Sequence, residues 1–265
     1  MKKLVLIFCF LCFYSCEEVV DVELEESDPR LVIEASLLWD QKNDQNVQYI
    51  KLTRTAAFFK DEIPAAENAE VSVFSSTGTE YIFQEVEPGL FTNNQITPVA
   101  GETYSLEIVY EDEVYRATSE FITAPALDFV VQENDGGFSG EDIELKVFYT
   151  DPAEETNFYL FRFFSEDLDL QIYNDEFTNG SQTFAFFTSE ELERGAEVAF
   201  EIQGISESFY QYMFILRSQA GTGGGPFQTQ PTLVRGNIVN TTDPDNYPFG
   251  YFRLSGTNFL TYTIE

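Results

Sequence analysis

Carboxylates are the most abundant side chains in this chain that could do chemistry. The sequence has 46 aspartates and glutamates, 14 lysines and arginines, and no histidine. Close pairs occur at Glu25/Glu26, Asp167/Asp169 and Glu190/Glu191. A glycosidase needs two carboxylates in one cleft, about 5 Å or about 6.5–9.5 Å apart, but this many acids produce pairs by chance. Without histidine, Ser-His-Asp and Cys-His catalysis are excluded, so we predict no catalytic residue and a protein that is not an enzyme.

Two loops carry the oxygen atoms that calcium prefers. One contains Asp243, Asp245 and Asn246, and the other contains Asp135, Glu141 and Asp142. Neither has the EF-hand spacing, and histidine ligands for zinc are absent. The glycine-rich stretch 221–226 lacks the Lys-Ser/Thr pair of a phosphate-binding loop, which indicates an ordinary connection. We therefore predict solvated turns, no metal site and no cofactor, with a calcium ion in one of the two acidic loops as the alternative.

The thiol of Cys16 is the most distinctive reactive group, because it follows an apolar run. Leu4–Tyr14 comes after Lys2 and Lys3, and Ser15 is the small residue before the cysteine. A positive start, a short apolar run and a small residue are typical of a secretory signal peptide. The run is shorter than the about 20 residues that a membrane-spanning helix needs. We predict a signal peptide over residues 1–15; an apolar N-terminal helix that contains cysteines by chance is the alternative.

The segment Phe13-Tyr14-Ser15-Cys16 resembles a bacterial lipobox, although lipoboxes prefer leucine where this chain has Phe13. The resemblance implies that Cys16 is lipidated on sulfur and becomes the new N-terminus, which anchors the protein in a membrane; an ordinary signal peptide is the alternative. Residues 16–28 would then be a lipidated acidic tether, and its composition is that of a solvated segment. Glu17, Glu18 and Asp21 resemble the signal that sends lipoproteins of the Bacteroidetes to the outer face of the outer membrane, the alternative being a merely soluble linker.

The overall charge limits the partners. The net charge is −32, and cleavage after Ser15 would remove two lysines and no acid, leaving −34. Such a surface repels nucleic acid and anionic lipid headgroups, so we predict no nucleic-acid partner. Aromatic residues make up 16% of the chain, which argues against disorder. After processing only Cys16 would remain of the three cysteines, so an internal disulfide is impossible and stability must come from packing.

The pattern of the N-terminal half predicts an immunoglobulin-like β-sandwich over residues 29–124. Residues 31–38 form an apolar run, apolar and polar residues alternate in short runs such as 71–73 and 104–110, and turn residues such as Pro88-Gly89 separate these runs. Period-two alternation indicates half-buried strands. About seven such strands with no helical period match a sandwich of this type.

Residues 125–265 are predicted to form a second β-rich domain that contains one helix. Strand patterns occur at 143–149, 158–164, 183–187 and 198–202, and short strands at 233–239, 249–254 and 259–264 would close the chain. Ser206 could cap a helix over about 206–220, and Gly221 could end it. Phe209, Tyr212, Met213 and Leu216 would form one apolar side, while Phe214 and Ile215 lie on the other, so we expect burial on two sides.

Several segments resemble the lipoproteins of the Bacteroidetes that are grouped as domain of unknown function 4249. They are LVIEASL at 31–37, AENAEVSVF at 66–74, the stretch from PGLF to TSEF at 88–121, ISESFYQYMFILRSQAGTGGGPF at 205–227, GNIVN at 236–240 and FGYF at 249–252. The resemblance implies an outer-membrane or cell-surface lipoprotein, often encoded near a TonB-dependent transporter. It implies no substrate and no active site, and the one residue role it transfers is the lipid-bearing role of Cys16.

Three functions remain open from the sequence. The first is a surface-exposed, lipid-anchored binding protein that assists a TonB-dependent transporter in nutrient uptake, with an unknown small-molecule ligand. The second is a structural or adhesive cell-surface protein with immunoglobulin-like modules, which would recruit partners along exposed strand edges. The third and least supported is a carboxylate-dependent hydrolase. A concave pocket lined by polar groups would favour the first, and flat sheets with a bare edge would favour the second.

Overall fold

The structure is a computed structural model, and it describes residues 28–40, 42–43, 46–57, 62–137, 140, 142–153, 155–189, 191–220 and 232–265. The predicted signal peptide, Cys16 and the export residues Glu17, Glu18 and Asp21 lie outside the described residues. So do Glu25/Glu26, Glu141, Glu190 and the glycine-rich stretch 221–226.

The described chain is mainly β, as predicted, with one helix in its second half. The helix α1 spans Glu207–Ala220. The strands are β1 (Leu31–Asp40), β2 (Gln48–Arg54), β3 (Glu70–Ser75), β4 (Glu80–Glu87), β5 (Leu90–Asn93), β6 (Thr103–Tyr110), β7 (Glu113–Ile122), β8 (Leu127–Gly136), β9 (Asp142–Thr150), β10 (Phe158–Phe164), β11 (Leu168–Asn174), β12 (Gln182–Thr188), β13 (Glu197–Ile205), β14 (Val239–Asn240) and β15 (Phe249–Thr263).

The first seven strands form the predicted sandwich around one core. The order β15-β1-β2-β5-β4-β3-β6-β7 is continuous. The first and last strands of this series, β15 and β7, also pair with each other. Alternate side chains of β1 point inward, so that Ile33 and Ala35 are fully buried while the residues between them face outward. This inward set packs with Ile50, Val73 and Leu106 from other strands, as period-two alternation requires.

The second half is built in three layers. Strands β11-β10-β13-β15 form the middle layer, the sheet β12-β9-β8 covers one side, and α1 covers the other. In β10, Phe161 and Phe163 point into the aromatic core beneath β12-β9-β8, while Leu160 points to the helix. The sequence reading missed β11, although Leu168, Leu170 and Ile172 alternate with polar residues there.

The last strand differs from the prediction. Two short strands at 249–254 and 259–264 were expected, but Phe249–Thr263 is one strand of 15 residues. The predicted break was wrong because Ser255, Thr257 and Asn258 are buried and lie within the sheet rather than in a turn. The first half of β15 pairs in parallel with β1, and its second half pairs antiparallel with β13. The predicted boundary at residue 124/125 stays a prediction, since β15 contributes to both cores.

The helix begins as predicted, with the Ser206 side chain accepting a hydrogen bond from the backbone N–H of Phe209 at 3.2 Å. Phe209 and Met213 are buried against the middle layer. The expected burial on two sides was wrong, because Phe214 is 62% exposed and Ile215 is also exposed. Only one side of α1 packs on β10 and β11, so the other side faces solvent. Among the residues described, no helix is both long enough and apolar enough to cross a membrane.

Three backbone segments meet closely at the start of β15. A side-chain carbon on Gly250 would lie 1.9 Å from the carbonyl oxygen of Ile33, and one on Gly236 would lie 1.6 Å from the carbonyl oxygen of Gly250. The amide of Asn237 then bonds both backbone groups of Phe252, donating to its oxygen at 2.8 Å and accepting from its nitrogen at 2.9 Å. Asn237 therefore replaces a neighbouring strand for one residue of β15.

We predict that Gly250→Ala lowers the free energy of unfolding by about 3 kcal/mol or more, because a backbone clash adds to the cost of a positive φ. Gly78→Ala is the matched control, since Gly78 also has a positive φ (88° against 104°) but has no atom within 4 Å of the added carbon. That variant should lose about 1 kcal/mol. Urea unfolding followed by fluorescence of the single tryptophan, Trp39, which packs against the N-terminal core, measures both; equal losses would contradict the proposed clash.

Candidate binding surface

A groove of about 490 Å³ lies on the outside of the N-terminal sandwich. It is lined by apolar, amide, hydroxyl and carboxylate side chains from β4, from β5, from the residue just before β2 and from the residues that follow β5. They are Val47, Glu80, Ile82, Gln84, Val86, Thr92, Asn93, Asn94 and Gln95.

Strand alternation places these side chains together. Phe83 of β4 points into the core, so Ile82 and Gln84 on either side of it point outward. Thr92 of β5 lies opposite Gln84 on one neighbouring strand and opposite Tyr49 on the other. The row Tyr49–Thr92–Gln84 therefore crosses three strands on the outer face.

The buried amide of Asn93 holds the end of the groove in shape. Its nitrogen donates to the carbonyl oxygen of Ile82 at 2.8 Å. Its oxygen accepts from the backbone N–H groups of Gln95 at 2.8 Å and Ile96 at 3.0 Å. This local turn is an Asx-type turn, and it fixes the backbone from which Asn94 and Gln95 project into solvent.

The chemistry of the groove suits binding more than catalysis. Ile82 and Val86 are 60% and 57% exposed, and the exposed amides of Gln84, Asn94 and Gln95 lie among them. Amides offer both donors and acceptors, and apolar surface beside them favours a ligand that is partly apolar and partly neutral-polar. The carboxylate of Glu80 accepts a hydrogen bond from Ser72 at 2.9 Å, and the groove lining contains no second carboxylate.

Sequence reasoning missed this groove. Its signal was present, because Ile82 and Val86 are apolar residues at positions of β4 that alternate with the core residue Phe83. The sequence shows a run of mixed residues there, and only strand pairing shows which of them face outward.

The acidic residues singled out from the sequence lie elsewhere. Asp169 accepts a hydrogen bond from Gln171 at 2.8 Å. Asp243 shapes a turn in which Asn246 donates to the Glu113 carboxylate at 2.8 Å. Within the described ranges, no group of three cysteine, aspartate or glutamate side chains is placed to hold a metal ion.

Three aromatic side chains that could stack on a ligand if they were exposed are packed against the rest of the protein instead. Trp39 is half-buried against the N-terminal core. Phe252 is fully buried, and Tyr251 packs on Phe209 with ring centroids 4.8 Å apart. These residues are parts of the packing rather than a platform for a ligand.

A buried charged cluster lies between the middle layer and α1. Arg253 donates to Ser36 at 3.1 Å and to Gln203 at 2.6 Å, and its guanidinium stacks over Phe209. Burial lowers the pKa of Arg253 to about 10. Glu201 is 1% exposed and accepts a hydrogen bond from Arg162 at 3.2 Å. Burial raises the pKa of Glu201, while Gln203, Arg162 and Arg253 act to lower it.

We predict that Glu201→Gln gains stability relative to the wild type as pH rises from about 4 to about 7. The pKa of Glu201 is raised in the folded state. The stability that this shift contributes is therefore fully present below the ordinary pKa of 4.5 and is lost as pH rises through the pKa of the folded state. Glutamine stays neutral and loses nothing over that range. Urea unfolding at several pH values measures the difference, with Glu197→Gln, an exposed carboxylate on the same strand, as the control; a flat or falling difference would contradict this assignment.

In a comparison with known protein families, one family model matches most of the chain. The family model described as domain of unknown function (DUF4249) matches residues 17–258. No curated protein matches the chain.

Two solved structures show a weak likeness. One is a two-domain fibronectin type III segment of chicken tenascin, with 13% identity, a TM-score of 0.23, and coverage of 68% of this chain and 92% of that one. The other is a DUF4785 family protein from Legionella pneumophila, with 12% identity, a TM-score of 0.27, and coverage of 68% and 54%. At this level of similarity, neither bears on what this chain binds or does.

Proposed function

We propose, from the premise that this chain belongs to the DUF4249 family, that it is a lipid-anchored binding protein on the surface of the outer membrane. The lipid is carried by Cys16, and Glu17, Glu18 and Asp21 direct the protein outward. The protein assists a TonB-dependent transporter by capturing a small nutrient and presenting it. The family supports the lipoprotein part of this proposal by resemblance.

The groove on the N-terminal sandwich is the observation that carries the binding role. It is concave, it is lined by exposed amides and apolar side chains, and Asn93 holds its end in a defined shape. Concave sites with a few placed polar groups are the usual form of small-molecule sites. The ligand class that fits is a small neutral molecule with an apolar side.

The tether explains how weak binding would suffice. Residues 16–28 could extend at most about 45 Å between the lipid and the first strand. A domain confined to that range near a transporter has a high effective concentration there. The strong negative charge keeps the domain off an anionic membrane surface.

A structural or adhesive role is the second candidate, and one observation favours it. Strands β8 and β12 are the two edges of the three-stranded sheet, and neither pairs with a described strand other than β9. Unpaired edges can add a strand from another chain. A carboxylate-dependent hydrolase remains the least supported class, because the groove lining holds one carboxylate, Glu80.

The anchor is tested by substitution of the predicted lipid-bearing residue. We predict that Cys16→Ala abolishes incorporation of labelled palmitate and releases the protein from the membrane fraction, since a thiol is needed for the lipid bond. Cys12→Ala, which changes a cysteine inside the apolar run, should leave both unchanged. Labelling of Cys16→Ala at the wild-type level would overturn the anchor assignment.

The accessory role is tested by pull-down of the tagged, lipidated protein from its native membrane in mild detergent. We expect a TonB-dependent transporter in stoichiometric amount, and that transporter's cargo is then the probe. The double variant Ile82→Ala/Gln84→Ala should bind the cargo about tenfold or more weakly, because about 1–2 kcal/mol of apolar contact and hydrogen bonding is removed.

The matched control is Gln211→Ala/Ile215→Ala, which removes the same two residue types from the exposed side of α1. It should bind the cargo like the wild type. Recovery of the protein alone, or with filament or matrix components, would overturn the transporter model and support the structural role.

A further inference from the structure

The outer side of the three-stranded sheet carries an exposed strip of apolar residues. Phe129 and Val131 of β8, Phe148 of β9, and Phe184 and Phe186 of β12 all point away from the core beneath. Phe129, Phe148 and Phe184 lie opposite one another in one row across the three strands. Val131, Lys146 and Phe186 form the next row. We call the five apolar residues the aromatic face.

The apolar residues of the aromatic face are not needed to form the core. The inward residues Val147, Ala185 and Phe187 already form the core contact of this sheet. The outward side of such an antiparallel sheet is ordinarily polar when it faces water. Here Phe129 and Phe186 are 45% and 46% exposed. A contiguous apolar patch of this kind on a soluble protein is typical of an interaction site.

The ring geometry indicates which class of partner fits. The rings of Phe129 and Phe148 are stacked, with centroids 4.7 Å apart and an angle of 18°. Phe148 and Phe184 are 5.2 Å apart, and the Lys146 ammonium lies 5.6 Å from the Phe184 ring. Rings that stack on one another present edges to solvent, whereas a sugar ring needs an open aromatic face. The face therefore suits apolar side chains of another protein better than a glycan.

The charges around the face limit that protein further. Glu133 and Glu144 lie beside it and bind Lys146 at 2.7 Å and 3.1 Å, so the charge of Lys146 is already neutralised. Asp128 lies at the other end, where Thr150 and Gln182 donate to it. The whole chain has a net charge of −32. A second copy would bring these acids together, and the chain's own segment 17–28 is itself acidic, so both are disfavoured.

We propose that the aromatic face is the docking surface for a different protein, whose contacting patch has an apolar centre and a rim of lysine and arginine. This inference goes beyond the ligand-binding role of the groove, since the face lies on a different sheet and its partner need not be the transporter. Apolar contact supplies the affinity, and the charge of the rim favours a basic partner over an acidic one.

The test uses the full-length protein in its own cells. A photoreactive benzoylphenylalanine replaces Phe186 in one strain and Phe177 in another; Phe177 is the same residue type, is 88% exposed and lies in the turn after β11. We expect a single protein crosslinked at 186 and not at 177. Mass spectrometry of the crosslinked peptide should place the contact in an apolar patch with lysine or arginine beside it.

Binding of that purified partner then supplies the quantitative test. Phe186→Lys should weaken the affinity about tenfold or more, because it puts a positive charge against a basic rim, whereas Phe177→Lys should leave it unchanged. Raising the salt from about 50 mM to about 500 mM should weaken wild-type binding, since opposite charges are screened. Val131→Lys repeats the test on a different strand, and thermal unfolding shows that each variant is folded.

Several outcomes would overturn the proposal. One is a crosslink from position 186 to a second copy, to residues 17–28 of the same chain or to a glycan. The others are a partner patch without basic residues, equal crosslinking at 186 and 177, and no crosslink at all. The groove variant Ile82→Ala/Gln84→Ala should crosslink normally at 186. Failure of the docking proposal would therefore leave cargo binding intact, and failure of the groove proposal would leave the crosslink intact.

Discussion

Pairing of the long strand β15 with β1 and β13 is the constraint on which the rest of this structure depends. The first half of β15 supplies Phe252 and Leu254 to the core of the N-terminal sandwich, and its second half lies in the middle layer of the C-terminal half. Every backbone group of such a strand needs a hydrogen-bond partner when it is buried. Strand β1 provides these partners over nine positions and β13 over seven, so the two halves cannot form their sheets independently of the chain's C-terminus.

The polar residues inside β15 follow from that constraint. Asn258 donates to the carbonyl oxygen of Ala124 at 3.1 Å, and Gly256 allows the backbone of Thr123 to approach it closely. Arg253 is held by Ser36 from β1 and Gln203 from β13. Buried polar groups are stable only when they are paired, so these contacts fix which residues of the three strands lie side by side. A one-residue slip would leave the guanidinium unpaired in the interior.

The same architecture leaves two different surfaces open. The groove lies on the first half, between strands whose inward residues are committed to the core, and the aromatic face lies on the separate three-stranded sheet. Because the two surfaces share no residue, a ligand and a protein partner could be bound at the same time. This arrangement suits the proposed binding role, in which capture of a nutrient and attachment to a partner are separate events.

The local features of this protein were readable from its sequence. Alternation predicts strand β6 because side chains of a strand point to opposite sides, and Ser206 predicts the start of α1 because its hydroxyl can accept a hydrogen bond from a backbone N–H. Both are short-range effects, and both are present in the structure. The sequence contains no histidine, and this fact by itself excludes Ser-His-Asp and Cys-His catalysis.

Only the tertiary structure decided which surfaces are covered. Ser255 and Asn258 are of residue types that are common in turns. They lie in a strand because other parts of the chain bury them and form hydrogen bonds with their side chains. Phe214 and Phe186 are of a residue type that is usually found in a core, yet they face solvent because no described layer packs over them. The groove depends on strands that are neighbours in space but not in sequence, such as β2 and β5. Burial is set by these long-range pairings, and a short window of sequence does not contain them.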